Sequence, residues 1–344
     1  MTRPSSLADL ASIFDSQPIS GTRNRIINGN FDVWQRGTTS RAWGGAGVYS
    51  ADRWARMGFQ SAGHERVSVS SAPTGLNSRF ALRASSATTG EDGSGSRIDL
   101  SQKIENVNCY DLSNQLVTVS FWVRFSAATA TSSTATAFGN WNCYLQYNTS
   151  TTDSAASTDT GNSISSMLTV TNGSQPTTWT RYTATATVPS GTNNISVRFQ
   201  YSGLGSTSSA GTVWYEITEI QLEAGPFATP FERRSFGQEL MLCQRYYQTI
   251  RGINGTSGAT TTNVYTNLVF NEMRTTPTLG VTGALVFTDP GVAAYTQSNP
   301  DVTLAGGSSP SGMFPMFRNL SGMTQFRTIV LNTMSTFVVL NAEL

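Results

Sequence analysis

Residues 220–250 read IQLEAGPFATPFERRSFGQELMLCQRYYQTI, and this stretch decides how the rest of the chain is parsed. Apolar or aromatic residues recur at Phe236, Leu240, Cys243, Tyr247 and Ile250, at intervals of four and three, which places them on one stripe of a helix. Ser235 and Gln238 have the spacing of a capping box, and Glu239 adds a negative charge in the first turn, where the helix dipole favours it. Pro226 and Pro230 hold the preceding chain extended. The sequence on either side reads as β. The expected architecture is therefore mainly β: a β-sandwich, a single linking α-helix, and a smaller C-terminal β-sandwich.

The strand pattern supports that division. From residue 23 to about 228, short candidate strands fall at 64–70, 79–84, 97–103, 116–125, 142–147, 167–170, 178–188, 194–201 and 213–223. Val117, Val119, Phe121, Val123 and Phe125 alternate with polar residues and so share one face; Tyr182, Ala184, Ala186 and Val188 do the same, as do Ile195, Val197, Phe199 and Tyr201. Gly/Ser/Thr-rich loops separate them. Many short strands at this spacing predict a β-sandwich of the jelly-roll kind. A second set follows at 263–270, 278–282, 285–288, 292–295, 303–304, 325–331 and 336–344. The parts are then 1–22, a docking segment; 23–228, the jelly roll; 229–251, linker and helix; and 252–344, the C-terminal β domain. In the first segment Leu7, Leu10, Ile13 and Phe14 make a two-turn amphipathic pattern too short to stand alone, which predicts docking on another protein. Near the far end Phe314, Met316, Phe317 and Leu320 cluster, which predicts an oligomer interface.

Composition narrows the chemistry. Twenty-two basic residues face 21 acidic ones, for a formal charge of +1, so nothing draws the chain electrostatically to nucleic acid. Charged residues are 12% of the chain, and Ser, Thr, Asn and Gly fill the remainder. His64 is the only histidine and Lys103 the only lysine. No His-based metal cluster or Ser-His-Asp triad can be assembled without His64. Cys109, Cys143 and Cys243 lack metal-ligand spacing, and an odd count argues against a disulfide framework. Residues 1–18 lack a basic start followed by an apolar core, and no apolar run approaches the ~18 residues of a membrane span. The expectation is a soluble product made in the cytoplasm, with no membrane insertion.

Two blocks carry a family resemblance. NRIINGNFDVWQRGT (24–38) with YSADRW (49–54), and VWYEITEIQLEAGPFATPFERRSFGQELMLCQRYYQ (213–248), resemble the tail-fibre and receptor-binding proteins of tailed bacteriophages. MRTTPTLGVTG (273–283) resembles the same family. Within that frame residues 28–223 are similar to carbohydrate-binding modules of the jelly-roll, galactose-binding-like type, through INGNFDVW, SFWVRF, TWTRYTATATVP and WYEITEIQLE. The resemblance implies a virion structural protein, assembled in the host cytoplasm, that adheres to a host-surface glycan or receptor. It implies a homo-oligomer, most often a trimer, and other virion proteins as partners. A head fibre or capsid decoration protein, and a glycan-cleaving tailspike, are the alternatives. Such modules often hold a structural calcium. Asn28, Asp32 and Glu219 offer oxygens here, but Thr218-Glu219 stands where two acids are expected and calcium needs ~6–8 oxygens. No metal and no cofactor is expected.

Glycosidases need two carboxylates flanking the bond. Glu91-Asp92 sits in a Gly/Ser loop, Asp289 and Asp301 sit in Pro-containing turns, and Glu216 and Glu219, three apart in a strand, point to opposite faces. The expectation is no catalytic residue and no enzyme. Sugars bind by stacking on Trp or Tyr. Trp122 and Trp214 lie inside strands and read as core. Trp43, in RAWGGAG, and Trp141, in FGNWNCY, lie beside glycine-rich loops and are the expected ligand platform, with Tyr144 and Tyr147 as neighbours.

Overall fold

A computed structural model describes residues 23–40, 48–56, 62–86, 97–126, 140–151, 153, 163–171, 173–202, 213–282, 285–289, 293–297, 301–320, 322–331 and 337–343. Leu7, Leu10, Ile13, Phe14, Trp43 and Glu91-Asp92 lie outside these. The chain forms two compact units, residues 1–239 (with residue 344) and 240–343.

The first unit is a jelly-roll β-sandwich. Its strands are β1 (Thr39–Ser40), β2 (Val48–Tyr49), β3 (Ala55–Arg56), β4 (Ala62–Ser68), β5 (Phe80–Ser86), β6 (Arg97–Ile104), β7 (Leu116–Phe125), β8 (Trp141–Asn148), β9 (Ser163–Val170), β10 (Thr180–Thr187), β11 (Asn194–Ser202) and β12 (Trp214–Ala224). One sheet runs β1-β4-β5-β12-β7-β10 and the other β2-β3-β6-β11-β8-β9. From β5 to β12 the chain passes between the sheets at every step except β8 to β9. All pairings are antiparallel, as in Tyr182 opposite Phe121 and Phe199 opposite Cys143.

Alternation does what it must. The odd-numbered residues of β7, from Val117 to Phe125, are at most 2% exposed, and they meet Ile98, Leu100, Trp141, Val197 and Phe199 of the opposite sheet in one core. Its centre is aromatic: Phe121 lies 5.0 Å from Phe199, and Trp141 lies 5.5 Å from Phe121 and 5.6 Å from both Phe199 and Tyr215. Trp122 is out of phase with that inward set, and Trp214 with the inward pair Tyr215 and Ile217, so both are half-buried on the outer face of the first sheet, not in the core.

Among the described residues one α-helix, α1 (Phe236–Gln244), is present. Its capping box forms as expected: Gln238 N–H donates to Ser235 Oγ at 3.4 Å, and Ser235 N–H to Gln238 Oε1 at 3.1 Å. The helix is shorter than the apolar stripe predicts. Tyr247 and Ile250 belong to β13 (Tyr247–Ile250), which pairs with the C-terminal strand, and Phe236 is 58% exposed. The aromatic and β-branched run YYQTI favours strand, and pairing partners decide between two patterns that the same spacing allows.

The second unit continues with β14 (Asn254–Ser257), β15 (Val264–Thr266), β16 (Leu268–Val269), β17 (Thr278–Thr282), β18 (Leu285–Asp289), β19 (Ala293–Gln297), β20 (Asp301–Ser309), β21 (Gly312–Arg318), β22 (Thr328–Leu331) and β23 (Phe337–Asn341). A three-stranded sheet, β13-β23-β17, and an eight-stranded one share a core that includes Val338 and Leu340 from the first and Phe287, Phe317 and Ile329 from the second. β21 alternates. Met313, Pro315 and Phe317 point in, while Phe314 and Met316 point out. Phe317 and Leu320, at 0% and 2% exposure, are core residues, so of the expected interface group only Phe314 and Met316 reach the surface.

Candidate functional site

The two blocks that carry the resemblance meet in space, and they build a scaffold. Asn28, at φ 57, donates from Nδ2 to the carbonyls of Val33 (2.8 Å) and Asp52 (3.1 Å), while its Oδ1 accepts from Val33 N–H (3.0 Å). Trp54 Nε1 donates to the Asn28 carbonyl at 3.0 Å. Gly29 abuts β12 so closely that a Cβ there would lie 2.2 Å from the Ile220 carbonyl oxygen. The Asn28 N–H donates to Glu239, which also pairs with Arg234 at 3.3 Å, and Arg234 donates to the carbonyls of Ile26 and Asn24. Burial pushes the Glu239 carboxyl above its ordinary range, against the pull of Arg234.

After β12 the chain is strapped back over the outer face of the first sheet. Gln221 and Glu223 point outward from the strand end and hold the strap. Glu223 accepts from Thr229 N–H (2.8 Å) and Thr229 Oγ1 (2.7 Å), and Gln221 Oε1 accepts from Glu232 N–H (2.8 Å). Arg181 of β10 donates to the Thr229 carbonyl at 2.8 Å. The strap is one wall of a cleft of about 720 Å³. Ala228, Pro230, Phe231 and Arg233 line that wall; Trp122 and Arg181 belong to the sheet; Thr74, Gly75 and Asn77 come from the loop between β4 and β5. Gly75, at φ 97, takes a backbone turn that favours glycine, and a Cβ there would be in ordinary contact with the indole at 3.7 Å.

The remaining wall is Glu219. It sits at a β-bulge where the β12–β7 register shifts by one residue, at φ 51, a conformation that is strained for a side chain of this type. Its Oε1 accepts from Asn77 N–H (2.8 Å) and Ser78 Oγ (3.1 Å), which anchors the loop and offsets the strain. The bulge also corrects the expectation that Glu216 and Glu219 point to opposite faces. The extra residue restores the phase, and both carboxylates leave the outer face. Glu216 is fully buried and accepts from Arg83 Nε (2.9 Å) and Arg124 Nε (2.6 Å). Those two guanidiniums cover Trp214, at 4.7 and 6.0 Å from its ring centre, so that indole is spent on packing.

The cleft thus offers an indole face, a proline, a phenylalanine and the amide of Asn77, beside two exposed guanidiniums. A flat apolar surface rimmed by polar groups suits a sugar ring, whose faces are apolar and whose edge carries hydroxyls. Among the described residues Glu219 is the one carboxylate lining it.

The described members of the expected platform do not come together. Trp141 is fully buried in the core, because it continues the inward set of β8 with Cys143 and Leu145. Tyr144 is half-buried on the opposite, outer face of the second sheet, in register with Arg198. Tyr147, also half-buried, pairs with the inward-facing Ile195. The three do not converge, and Trp43 lies outside the described residues. The signal for Trp122 was present in the strand parity. The loop, the bulge and the strap carried no comparable signal.

Two other constellations are structural. His64 is fully buried; its Nδ1 accepts from Ser50 Oγ at 2.7 Å and its Nε2 donates to the backbone carbonyl of Asp99 at 3.1 Å. The Asp99 carboxylate instead pairs with Arg198 at 2.8 Å, so Ser50, His64 and Asp99 do not form a relay. Burial, reinforced by the nearby Arg56, pushes the imidazole down to about 3 and keeps it neutral. Asn28 spends its Oδ1 and Glu219 its Oε1 on protein donors as described, and Asp32 accepts from Asn30 at 2.6 Å. Among the described residues no three His, Cys, Asp or Glu side chains converge as a metal site.

No protein-family model and no curated protein matches the chain. Several solved structures resemble it. A xylan-binding CBM22-2 domain of Paenibacillus barcinonensis Xyn10C aligns at 17% identity over 50% of this chain and 92% of its own, with a TM-score of 0.31. The tandem CBM22-1-CBM22-2 domain of the same protein aligns at 10% identity over 89% of this chain and 100% of its own, with a TM-score of 0.30. The enzymatically active domain of tailspike protein 4 of bacteriophage CBA120 aligns at 12% identity over 59% of this chain and 22% of its own, with a TM-score of 0.32. At these identities and scores nothing about the ligand or chemistry of this chain follows from them.

Proposed function

We propose that this protein is a non-enzymatic glycan-binding adhesin, and that the cleft between Trp122 and the 228–233 strap is where the glycan sits. The observation that carries the reading is the placement of Trp122. The indole is turned away from the aromatic core and packs against the outer-face cluster of Leu76, Ala81 and Trp179, yet it stays half-buried and lines a cleft edged by Asn77, Arg181 and Arg233. Glu216 is locked by two arginines and Glu219 by loop donors, which favours binding over cleavage.

The sequence resemblance of residues 23–250 supports a place on a virion, as a tail fibre or similar appendage. The outward Phe314 and Met316 support self-association through the C-terminal domain. Titration of the purified protein with host-envelope polysaccharide tests the central claim. Trp122→Ala should weaken binding at least about tenfold, the loss of one stacking platform, with the fold intact by circular dichroism. Unchanged binding by that variant would move the site elsewhere. Release of new reducing ends during incubation would replace the adhesin by a glycan-cleaving enzyme.

A further inference from the structure

We infer that the cleft selects an anionic sugar, one carrying a carboxylate or a sulfate ester, over a neutral one; this rests on the glycan reading above. The reason is the balance of unspent donors and acceptors. Glu219 is 4% exposed, and its Oε1 accepts from Asn77 N–H and Ser78 Oγ. One oxygen of the single carboxylate lining the cleft among the described residues is thereby spent inside the protein.

The donor capacity of the cleft is largely unspent. Arg181 spends Nη2 on the Thr229 carbonyl (2.8 Å), and Arg233 spends Nη1 on the Asn77 carbonyl (3.0 Å). Each guanidinium has five N–H donors in a fixed planar fork, so most remain for a ligand. The backbone bonds also pre-orient both side chains, which lowers the entropy lost on binding. The charged groups lining the cleft are these two arginines and the buried Glu219, and Asp32 stands 4.0 Å from Arg233. Asp32 moderates Arg233, and its own Oδ2 already accepts from Asn30, while Arg181 has no carboxylate partner among the described residues. A ligand that brings a planar, doubly accepting anion beside an apolar ring face satisfies the forks and stacks on Trp122 together. A neutral hydroxyl cannot accept from a fork in the same bidentate way.

The test uses the full chain and three probes: an oligogalacturonate, a sulfated dextran oligosaccharide and a neutral dextran oligosaccharide of matched length. Calorimetry at low salt should show at least one anionic probe binding about tenfold more tightly than the neutral one, an advantage that shrinks as salt rises. Which anionic probe gains identifies carboxylate or sulfate as the group recognised. Arg181→Gln and Arg233→Gln should each remove most of that advantage, read as the ratio of anionic to neutral affinity within the same variant, whereas Trp122→Ala should weaken binding of every probe. Equal affinity for neutral and anionic probes, or an anionic preference untouched by both arginine variants, overturns the inference and leaves the glycan reading standing. Binding of all probes that Trp122→Ala does not weaken overturns the glycan reading of this cleft itself.

Discussion

Acidification should destabilise the jelly-roll unit through its one histidine. Folded, the His64 imidazole titrates at about 3; unfolded, at its ordinary 6.5. The folded value is depressed, so the neutral ring contributes stability that is complete above pH 6.5. That contribution is lost as pH falls, because the unfolded chain takes a proton the folded one refuses. Each pH unit in this window is about 1.4 kcal/mol, so the loss is about 2 kcal/mol by pH 5 and about 3 kcal/mol by pH 4. Carboxylates titrate over part of the same range and must be subtracted. His64→Gln does this, since an amide can still donate toward the Asp99 carbonyl and accept from Ser50 but cannot take up the proton. Urea unfolding followed by tryptophan fluorescence is the assay. All seven tryptophans precede residue 215, so the signal reports on the first unit. The wild-type free energy should fall about 2 kcal/mol further than that of the variant between pH 7 and pH 5. Parallel pH profiles for the two proteins would refute the reasoning.

Two further outcomes follow from close contacts. Gly29→Ala places a Cβ 2.2 Å from the Ile220 carbonyl, where only backbone movement can relieve the clash; the same urea assay should show a loss of about 2–4 kcal/mol, and a smaller loss would mean that the 24–34 turn is not braced on β12. Glu216→Gln removes the charge between Arg83 and Arg124 on the outer face; a loss of about 2–3 kcal/mol is expected, with glycan affinity within about twofold of wild type, because the pair supports Trp214 and lies outside the cleft.

Much of the fold was legible in the residues. Strands 116–125, 194–202 and 278–282 were found nearly to their ends, because period-two alternation over long stretches has no competing reading. β14 and β21 were not found. Asn254–Ser257 has too little apolar character to register, and Phe314, Met316 and Phe317 of GMFPMFR read instead as part of an apolar surface cluster. Tyr247–Ile250 reads as helix from the sequence, since spacings of three and four continue into it, and only the partner strand Phe337–Asn341 turns them to β.

The site was less legible than the fold. Inward and outward positions on β7 were determined by the sequence itself, because successive side chains on a strand must leave on opposite faces, and Trp122 is outward by that rule alone. What lies over Trp122 was decided by tertiary structure. Asn77, Arg181, Glu219 and Phe231 come from four separate parts of the chain, and they are brought together by a bulge, a loop anchored on one carboxylate, and a strap tied down by Gln221 and Glu223. Local pattern follows from local geometry and survives in a linear sequence. A cleft depends on hydrogen bonds between residues as far apart as Asn77 and Glu219, and no period in the sequence encodes them.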